Sequence, residues 1–152
     1  MTTLFTALEV SNSISERLQT IRIADGFQTD IGAKVMMGRR KIPGDDEPPC
    51  IIVGEGSDDV QDQPGRIPSV LVSQDYLIDG FDECDPDNPN LKAHAIIRDI
   101  KTALFYDGVT LGGKVKKVNY LGRDIGPRAD GVALVQARVM ISVEYVEDLT
   151  NP

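Results

Sequence analysis

Residues 122–131, GRDIGPRADG, concentrate side chains that could bind an anion or a metal ion. They include three glycines, a proline, two arginines and two aspartates. A glycine-rich loop binds phosphate when a helix follows it, because backbone N–H groups and the helix dipole then point at the anion. The residues after Gly131 alternate like a strand, and no lysine followed by serine or threonine is present in the loop. The segment therefore predicts a long loop between two strands.

Residues 85–90, DPDNPN, resemble the start of a calcium-binding loop. Such a loop needs glycine at its sixth position and a bidentate glutamate at its twelfth. Counted from Asp85, these positions hold Asn90 and Ile96, so a turn before a helix fits better. His94 is the only histidine, which excludes a His-rich zinc site, and we expect it to pack beside the apolar stripe of a helix.

The remaining reactive side chains do not form a catalytic pattern. Carboxylates cluster in residues 45–47 and 144–148, but with no Trp and 5% aromatics the chain has few platforms for sugar stacking. Cys50 lies in an apolar run and Cys84 in an acidic stretch, and two isolated cysteines make neither a disulfide framework nor a zinc site. We expect no enzymatic activity, no metal and no cofactor.

The basic cluster formed by Arg39, Arg40 and Lys41 has two interpretations. It can be an ordinary turn between strands, or it can make an ionic contact with an acidic patch on a neighbouring copy. Head-to-tail contacts of this kind close into rings when the rotation allows it. No aromatic residue lies nearby to stack on single-stranded nucleic acid.

Length and charge narrow the class of protein. The 152 residues suit a single domain, 1–152. The net charge of −8 opposes tight binding to nucleic acid and to anionic membranes. The start, MTTLFTALEV, lacks the basic flank and apolar run of a signal peptide, and no window approaches a membrane span. We expect a soluble protein made in a cytoplasm.

Two segments have the apolar spacing of helices. The first covers residues 3–21 and ends at the glycine of ADGF. The second begins with Asn88 as N-cap and Pro89 as first helical residue, and it runs to about Phe105. Its apolar stripe consists of Ala93, Ile96, Ile97, Ile100 and Leu104.

Alternation and apolar runs predict five strands. They cover residues 27–37, 50–53, 70–81 (with a bend near Gln74), 114–121 and 132–148. One face of the last strand holds Val135, Ala137, Val139, Ile141, Val143 and Tyr145. Residues 38–48, 56–68 and 122–131 are expected to be loops. The order α-β-β-β-α-β-β predicts an α+β fold, with two helices packed on one face of a mainly antiparallel or mixed sheet.

The layout of these segments resembles the tail terminator (tail completion) proteins of long-tailed bacteriophages. The resemblance covers about residues 4–147 and rests on the length of the chain, the order of its elements and the amino-acid sequences of six segments. These are LFTALEVSNSISERLQTI, FQTDIGAKVMMGRRKIP, PCIIVGEG, VLVSQDYLIDGF, LKAHAIIRDIKTALF and VKKVNYLGRDIGPRADGVALVQARVMISVEY.

The resemblance implies a structural virion protein of the tail and neck, assembled in the bacterial host cytoplasm. Members of the family form a hexameric ring on the head-proximal end of the tail tube. The ring ends tube polymerisation and docks the tail to the head connector or stopper protein, while DNA passes through the lumen without specific binding. An acidic channel wall would agree with this, because it repels phosphate.

Two loops are the candidate contacts with neighbouring subunits or with the tail tube, since each carries both signs of charge. Their residues are Arg39, Arg40, Lys41, Asp45 and Asp46 in the first loop, and Arg123, Asp124, Arg128 and Asp130 in the second. An edge strand or the long last strand is expected to supply the apolar burial.

Two other hypotheses remain. The chain can be another neck or tail structural protein, such as a head–tail joining protein or a tail-tube subunit. It can also be a small monomeric or dimeric enzyme with a pocket that gathers His94 and several acids.

Overall fold

The computed structural model describes residues 6–38, 43–44, 47–126 and 133–152. Along the chain lie α1 (Thr6–Gln19), two short 3₁₀ turns (Ile23–Asp25 and Ile31–Ala33), β1 (Val35–Met37), β2 (Cys50–Asp62), β3 (Ser69–Glu83), α2 (Pro89–Phe105), β4 (Lys117–Ile125) and β5 (Leu134–Asp148). The predicted order of helices and strands is confirmed, and the fold is α+β.

The strands form one mixed sheet in the order β1-β2-β3-β5-β4. β1 pairs with β2 in parallel, and every other pair is antiparallel. β3 and β5 are the central strands and pair without interruption from Ser69 opposite Asp148 to Glu83 opposite Leu134. The sheet therefore has β4 as one edge and the three-residue β1 as the other.

Both helices pack on the same face of this sheet. The apolar stripe of α2 and the predicted inner face of β5 are buried as expected, in one cluster with Val10, Ile14 and Leu18 of α1. Burial of these aliphatic side chains is the main source of stability for such a layer. A smaller cluster lies on the opposite face, where Cys50, Ile52 and Phe81 are buried.

Gly80 lets α2 approach the sheet closely. A side chain at this position of β3 would overlap Ile96 Cγ2 and lie 3.3 Å from Ile31 Cδ1. The methyl group of Ile96 is attached at its Cβ and cannot swing away as the end of a long side chain can. The helix–sheet contact therefore requires glycine here.

Asp99 of α2 ties the N-terminal third of the chain to the second helix. Its buried carboxylate accepts hydrogen bonds from the backbone N–H groups of Gln28 and Thr29 and from the Thr29 hydroxyl, at 2.7 to 3.1 Å. A buried carboxylate is tolerated when donors satisfy it in this way. The contact fixes the path of the chain that leads to β1.

The predicted strand at 27–37 is wrong except at its end, because only Val35–Met37 pair with β2. The backbone N–H groups of Gln28 and Thr29, which would bond to a neighbouring strand, donate to the Asp99 carboxylate instead. Residues Ile31–Ala33 form a 3₁₀ turn. The apolar alternation in this segment reflects burial in turns, where Thr29 and Ile31 have no exposed surface.

Several other details of the strands differ from the prediction. β2 runs on to Asp62 through residues predicted to be a loop, since it pairs with β3 as a long hairpin. β4 begins later and continues to Ile125, so residues 122–125 belong to a strand and not to a loop. The bend predicted near Gln74 lies on the facing strand, where the β2 register shifts between Glu55 and Asp58.

We predict that Gly80→Ala destabilises the protein by about 1–3 kcal/mol, because the new methyl group overpacks the contact with α2. The matched control is Gly54→Ala on the neighbouring strand, where the nearest atoms to a new Cβ are 3.9 Å away. This control should be neutral or stabilising by up to about 1 kcal/mol. Urea unfolding measures both, and equal effects would contradict the close approach.

We predict that Asp99→Asn costs about 2–4 kcal/mol of unfolding free energy, since an amide keeps only one acceptor oxygen for donors that are already buried. Asp75→Asn, on the uncovered face of the sheet, is the control and should change stability by less than about 0.5 kcal/mol. Thermal and urea unfolding of the two variants compare the sites. Similar unfolding free energies for the two variants would contradict a stabilising role for the Asp99 hydrogen bonds.

Candidate interaction surfaces

Only two of the predicted interface residues lie in the described part of the chain. Arg39, Arg40, Lys41, Asp45, Asp46, Arg128 and Asp130 lie outside the described residues. Arg123 and Asp124 are on β4, where consecutive side chains point to opposite faces of the sheet. The structure therefore places these two on different surfaces.

Arg123 lies on the helix side of the sheet. Its Nη1 is 3.0 Å from Nδ1 of His94, on α2. We expected His94 to pack beside the apolar stripe, but its side chain is exposed. The pair is a surface contact between β4 and α2, and Arg123 has room to meet another molecule.

Asp124 lies on the sheet face that no described helix covers, opposite Arg138 of β5. We call this surface the open face. Arg138 Nε donates to Asp79 Oδ1 at 2.7 Å and Nη2 donates to Oδ2 at 3.0 Å. The hydrogen bond to Asp79 raises the pKa of Arg138. A two-pronged ion pair thus crosses β3 and β5 at the middle of the open face.

Most charges on the open face are acidic. The strand register assigns Asp59, Asp62, Asp75, Asp79, Glu83, Asp124 and Glu144 to this face, together with the basic residues Lys117 and Arg138. Several apolar residues interrupt them, among them Leu77, which is exposed. The face is a broad acidic surface that tends to repel polyanions at close range.

The outer edge of β4 borders an apolar groove. Val118 N–H donates to Val109 O at 2.6 Å, and beyond this bond no described strand pairs with the outer side of β4. The groove measures about 430 Å³ and is lined by Lys101, Phe105, Val109, Lys117, Val118, Asn119 and Tyr120. We call it the β4 groove.

Two lysines frame the β4 groove. Lys101 Nζ lies 4.4 Å from the centre of the Tyr120 ring, in a cation–π contact. Lys117 stands on the strand itself and is exposed. The groove therefore combines an apolar floor, a free strand edge and positive charge, which are the features that accept an added strand.

The second half of β2 is also a free edge, but its side chains are acidic, whereas those beside β4 are basic. β1 covers β2 only at residues 51–53, and Gly38 N–H adds a bond to Val53 O at 2.7 Å. Residues 54–62 have no other described strand on that side. They carry Glu55, Asp58, Asp59 and Asp62, and the side chain of Val60 is 60% exposed.

A polar cluster lies beneath α1 and has a structural role. The Ser11 hydroxyl donates to Glu55 Oε1 and lies 2.9 Å from the Tyr76 hydroxyl. Burial raises the pKa of Tyr76 far above its usual range. Ser11 thus satisfies a buried phenol and joins α1 to β2 and β3. A second groove, of about 400 Å³, runs along α1 beside Glu9, Glu16 and Lys114.

The described ranges contain no group of three or more His, Cys, Asp or Glu side chains arranged to hold a metal ion. Among the helices of those ranges, none has the length and apolar character needed to cross a membrane. No protein-family model and no curated protein sequence matches the chain. The fold class, α+β, is therefore established by the structure alone.

Sequence reasoning missed both free edges. Residues 54–62 were assigned mostly to a loop because serine, glycine and aspartate dominate them, and Val60 is their only apolar side chain. Nothing in the periodicity of α2 indicated that Lys101 lies over Tyr120, which is distant in sequence. The basic pair Lys116 and Lys117 lies within the predicted strand at 114–121, and nothing in its sequence indicates a free edge.

We predict that Arg123→Glu changes the unfolding free energy by less than about 1 kcal/mol, because its one described partner is an exposed histidine. Arg138→Glu places a carboxylate between Asp79 and Asp124 and should cost about 1–3 kcal/mol. Urea unfolding in low salt measures the difference. If Arg123→Glu were the more harmful change, Arg123 would be a structural residue and a poor probe of an interface.

Proposed function

We propose that the protein is a ring-forming structural protein of a long-tailed bacteriophage that caps the head-proximal end of the tail tube. In this role it ends tube polymerisation and docks the tail to the head connector or stopper protein. The observation that carries the proposal is the open face, a sheet surface without a described helix on it and with mainly acidic charges. The sequence resemblance and the α+β layout support the same function.

The open face suits a channel through which DNA moves. A basic surface would displace counterions and hold the phosphates, whereas an acidic one disfavours such contacts. The net charge of −8 on each chain acts in the same direction, and a ring of six copies multiplies it. DNA would therefore pass without specific binding.

The proposal gives the chain four partners. These are other copies of itself in a homo-hexameric ring, the tail-tube protein, the connector or stopper protein of the head, and the DNA in the lumen. The role is mechanical and needs no catalysis, and the protein would reside in the virion after assembly in the bacterial cytoplasm. The helix side of the sheet then faces outward.

We predict that adding the protein to polymerising tail tubes of its phage caps one end of each tube and halts growth there. Negative-stain images should show closed rings, and the tube-length distribution should narrow. Bovine serum albumin at equal concentration controls for crowding. Tubes that continue to lengthen, or chains that themselves extend the tube, would contradict a terminator and favour a tube subunit.

The acidic channel wall is tested separately in the capped tubes. A variant with Asp75→Lys and Glu83→Lys should still cap tubes, since both residues are exposed, but it should retain double-stranded DNA at low salt. Equal DNA retention by the wild type and this variant would remove the open face from the lumen.

A further inference from the structure

The sheet ends in two free edges that differ in charge. The β4 edge carries Lys101 and Lys117 beside the β4 groove. The free half of β2, residues 54–62, is acidic and exposed. An edge strand can bind a second strand through its unpaired backbone groups, and neighbouring side chains decide which partner it accepts.

The two edges lie at the same height in the sheet. One row across the strands consists of Glu55, Tyr76, Ile141 and Tyr120, and another consists of Asp58, Gln74, Val143 and Val118. A second copy placed beside the first without a vertical shift therefore brings its β2 edge level with β4. No sliding of one sheet past the other is needed.

We propose that copies of this chain associate head to tail, with residues 54–57 of one copy pairing with β4 of the next from Tyr120 onward and residues 58–60 packing beside its β4 groove. This inference rests on the proposed ring and names its subunit contact. The acidic residues Asp58 and Asp59 meet the lysines of the neighbouring edge. Val60, whose apolar side chain is mostly exposed in the single chain, enters the β4 groove of the next copy.

Rotational symmetry fixes the direction of this pairing. β2, β3, β5 and β4 alternate in direction, so β2 and β4 run oppositely within one copy. Copies related by rotation about an axis along the strands keep the same strand directions. β4 of one copy and β2 of the next are then antiparallel, and the contact is heterologous, which closes into a ring when the rotation closes.

β1 limits the length of the contact. It occupies the outer side of β2 at residues 51–53, so only the later half of β2 is open to a neighbour. The Val118 N–H already donates to the Val109 carbonyl, so the next outward N–H of β4 that can pair with a neighbour is that of Tyr120. Charged side chains and register shifts also protect edges against indiscriminate pairing. Lys101 and Lys117 beside β4 favour the acidic edge of β2 over other strands.

The test reverses the charge of each edge. The variant with Lys101→Glu and Lys117→Glu, and the variant with Asp58→Lys and Asp59→Lys, should each weaken self-association by about tenfold or more. Combining all four changes restores opposite charges and should return the association constant to within about threefold of the wild type. Sedimentation velocity over a concentration series gives these constants.

The matched control is Lys114→Glu, an exposed lysine on the α1 side of the molecule. It should leave association unchanged, and circular dichroism must show all variants folded. Carbodiimide coupling in a mixture of isotopically labelled and unlabelled chains should join Lys117 or Lys101 of one copy to Asp58 or Asp59 of another. The coupled peptides are identified by mass spectrometry.

Three outcomes overturn the pairing. They are a wild type that stays monomeric and uncoupled at its highest soluble concentration, reversal variants that associate normally, and a combined variant no better than either half. The ring function is judged independently by tube capping. If the protein caps tubes but shows no such coupling, the edge contact is contradicted and the tail function is not. If it couples but does not cap tubes, the tail function is contradicted and the edge contact is not.

Discussion

The buried carboxylate of Asp99 governs how the first third of the chain meets the rest. It takes the backbone N–H groups of Gln28 and Thr29, which would otherwise be free to enter a strand. The segment therefore turns above α2, and only Val35–Met37 reach the sheet. Because β1 is so short, half of β2 has no described strand on its outer side. The Asp99 contact thus fixes the path of the chain that leads to this edge.

The second constraint is that both helices use one face of the sheet. α2 approaches closely at Gly80, and α1 lies beside it in the same core cluster. The chain has no further described helix for the other face, so the side chains there must tolerate water, except in the small buried cluster of Cys50, Ile52 and Phe81. Most of the polar residues on this face are charged, and Arg138 neutralises part of the negative charge by donating two hydrogen bonds to Asp79. The two faces of the sheet therefore differ: one packs against the helices, and the other is mainly acidic.

Periodic apolar residues made the element order predictable. The stripe from Ala93 to Leu104 and the alternation from Val135 to Tyr145 each bury one face, and both were found as expected. The strand predicted at 27–37 was wrong because alternation records burial and not pairing, and Asp99 lies seventy residues away from Thr29. Residues 54–62 were missed for the opposite reason. Their pairing with β3 depends on the partner strand, while their own side chains are acidic and exposed. The groove at Tyr120 needed contacts between α2 and β4 that no local pattern contains.

An edge strand that binds one partner must still avoid pairing with every other exposed strand. The described edges meet this demand in different ways. β2 interrupts its register at residues 56–57 and carries carboxylates, so two β2 edges repel each other. The β4 edge has Lys117 and, from α2, Lys101 beside it, so two β4 edges repel as well. Only the heterologous combination brings opposite charges together, and β1 restricts its length. Like-charge repulsion therefore disfavours isologous dimers, and the combination that remains is the heterologous one that we propose for the ring.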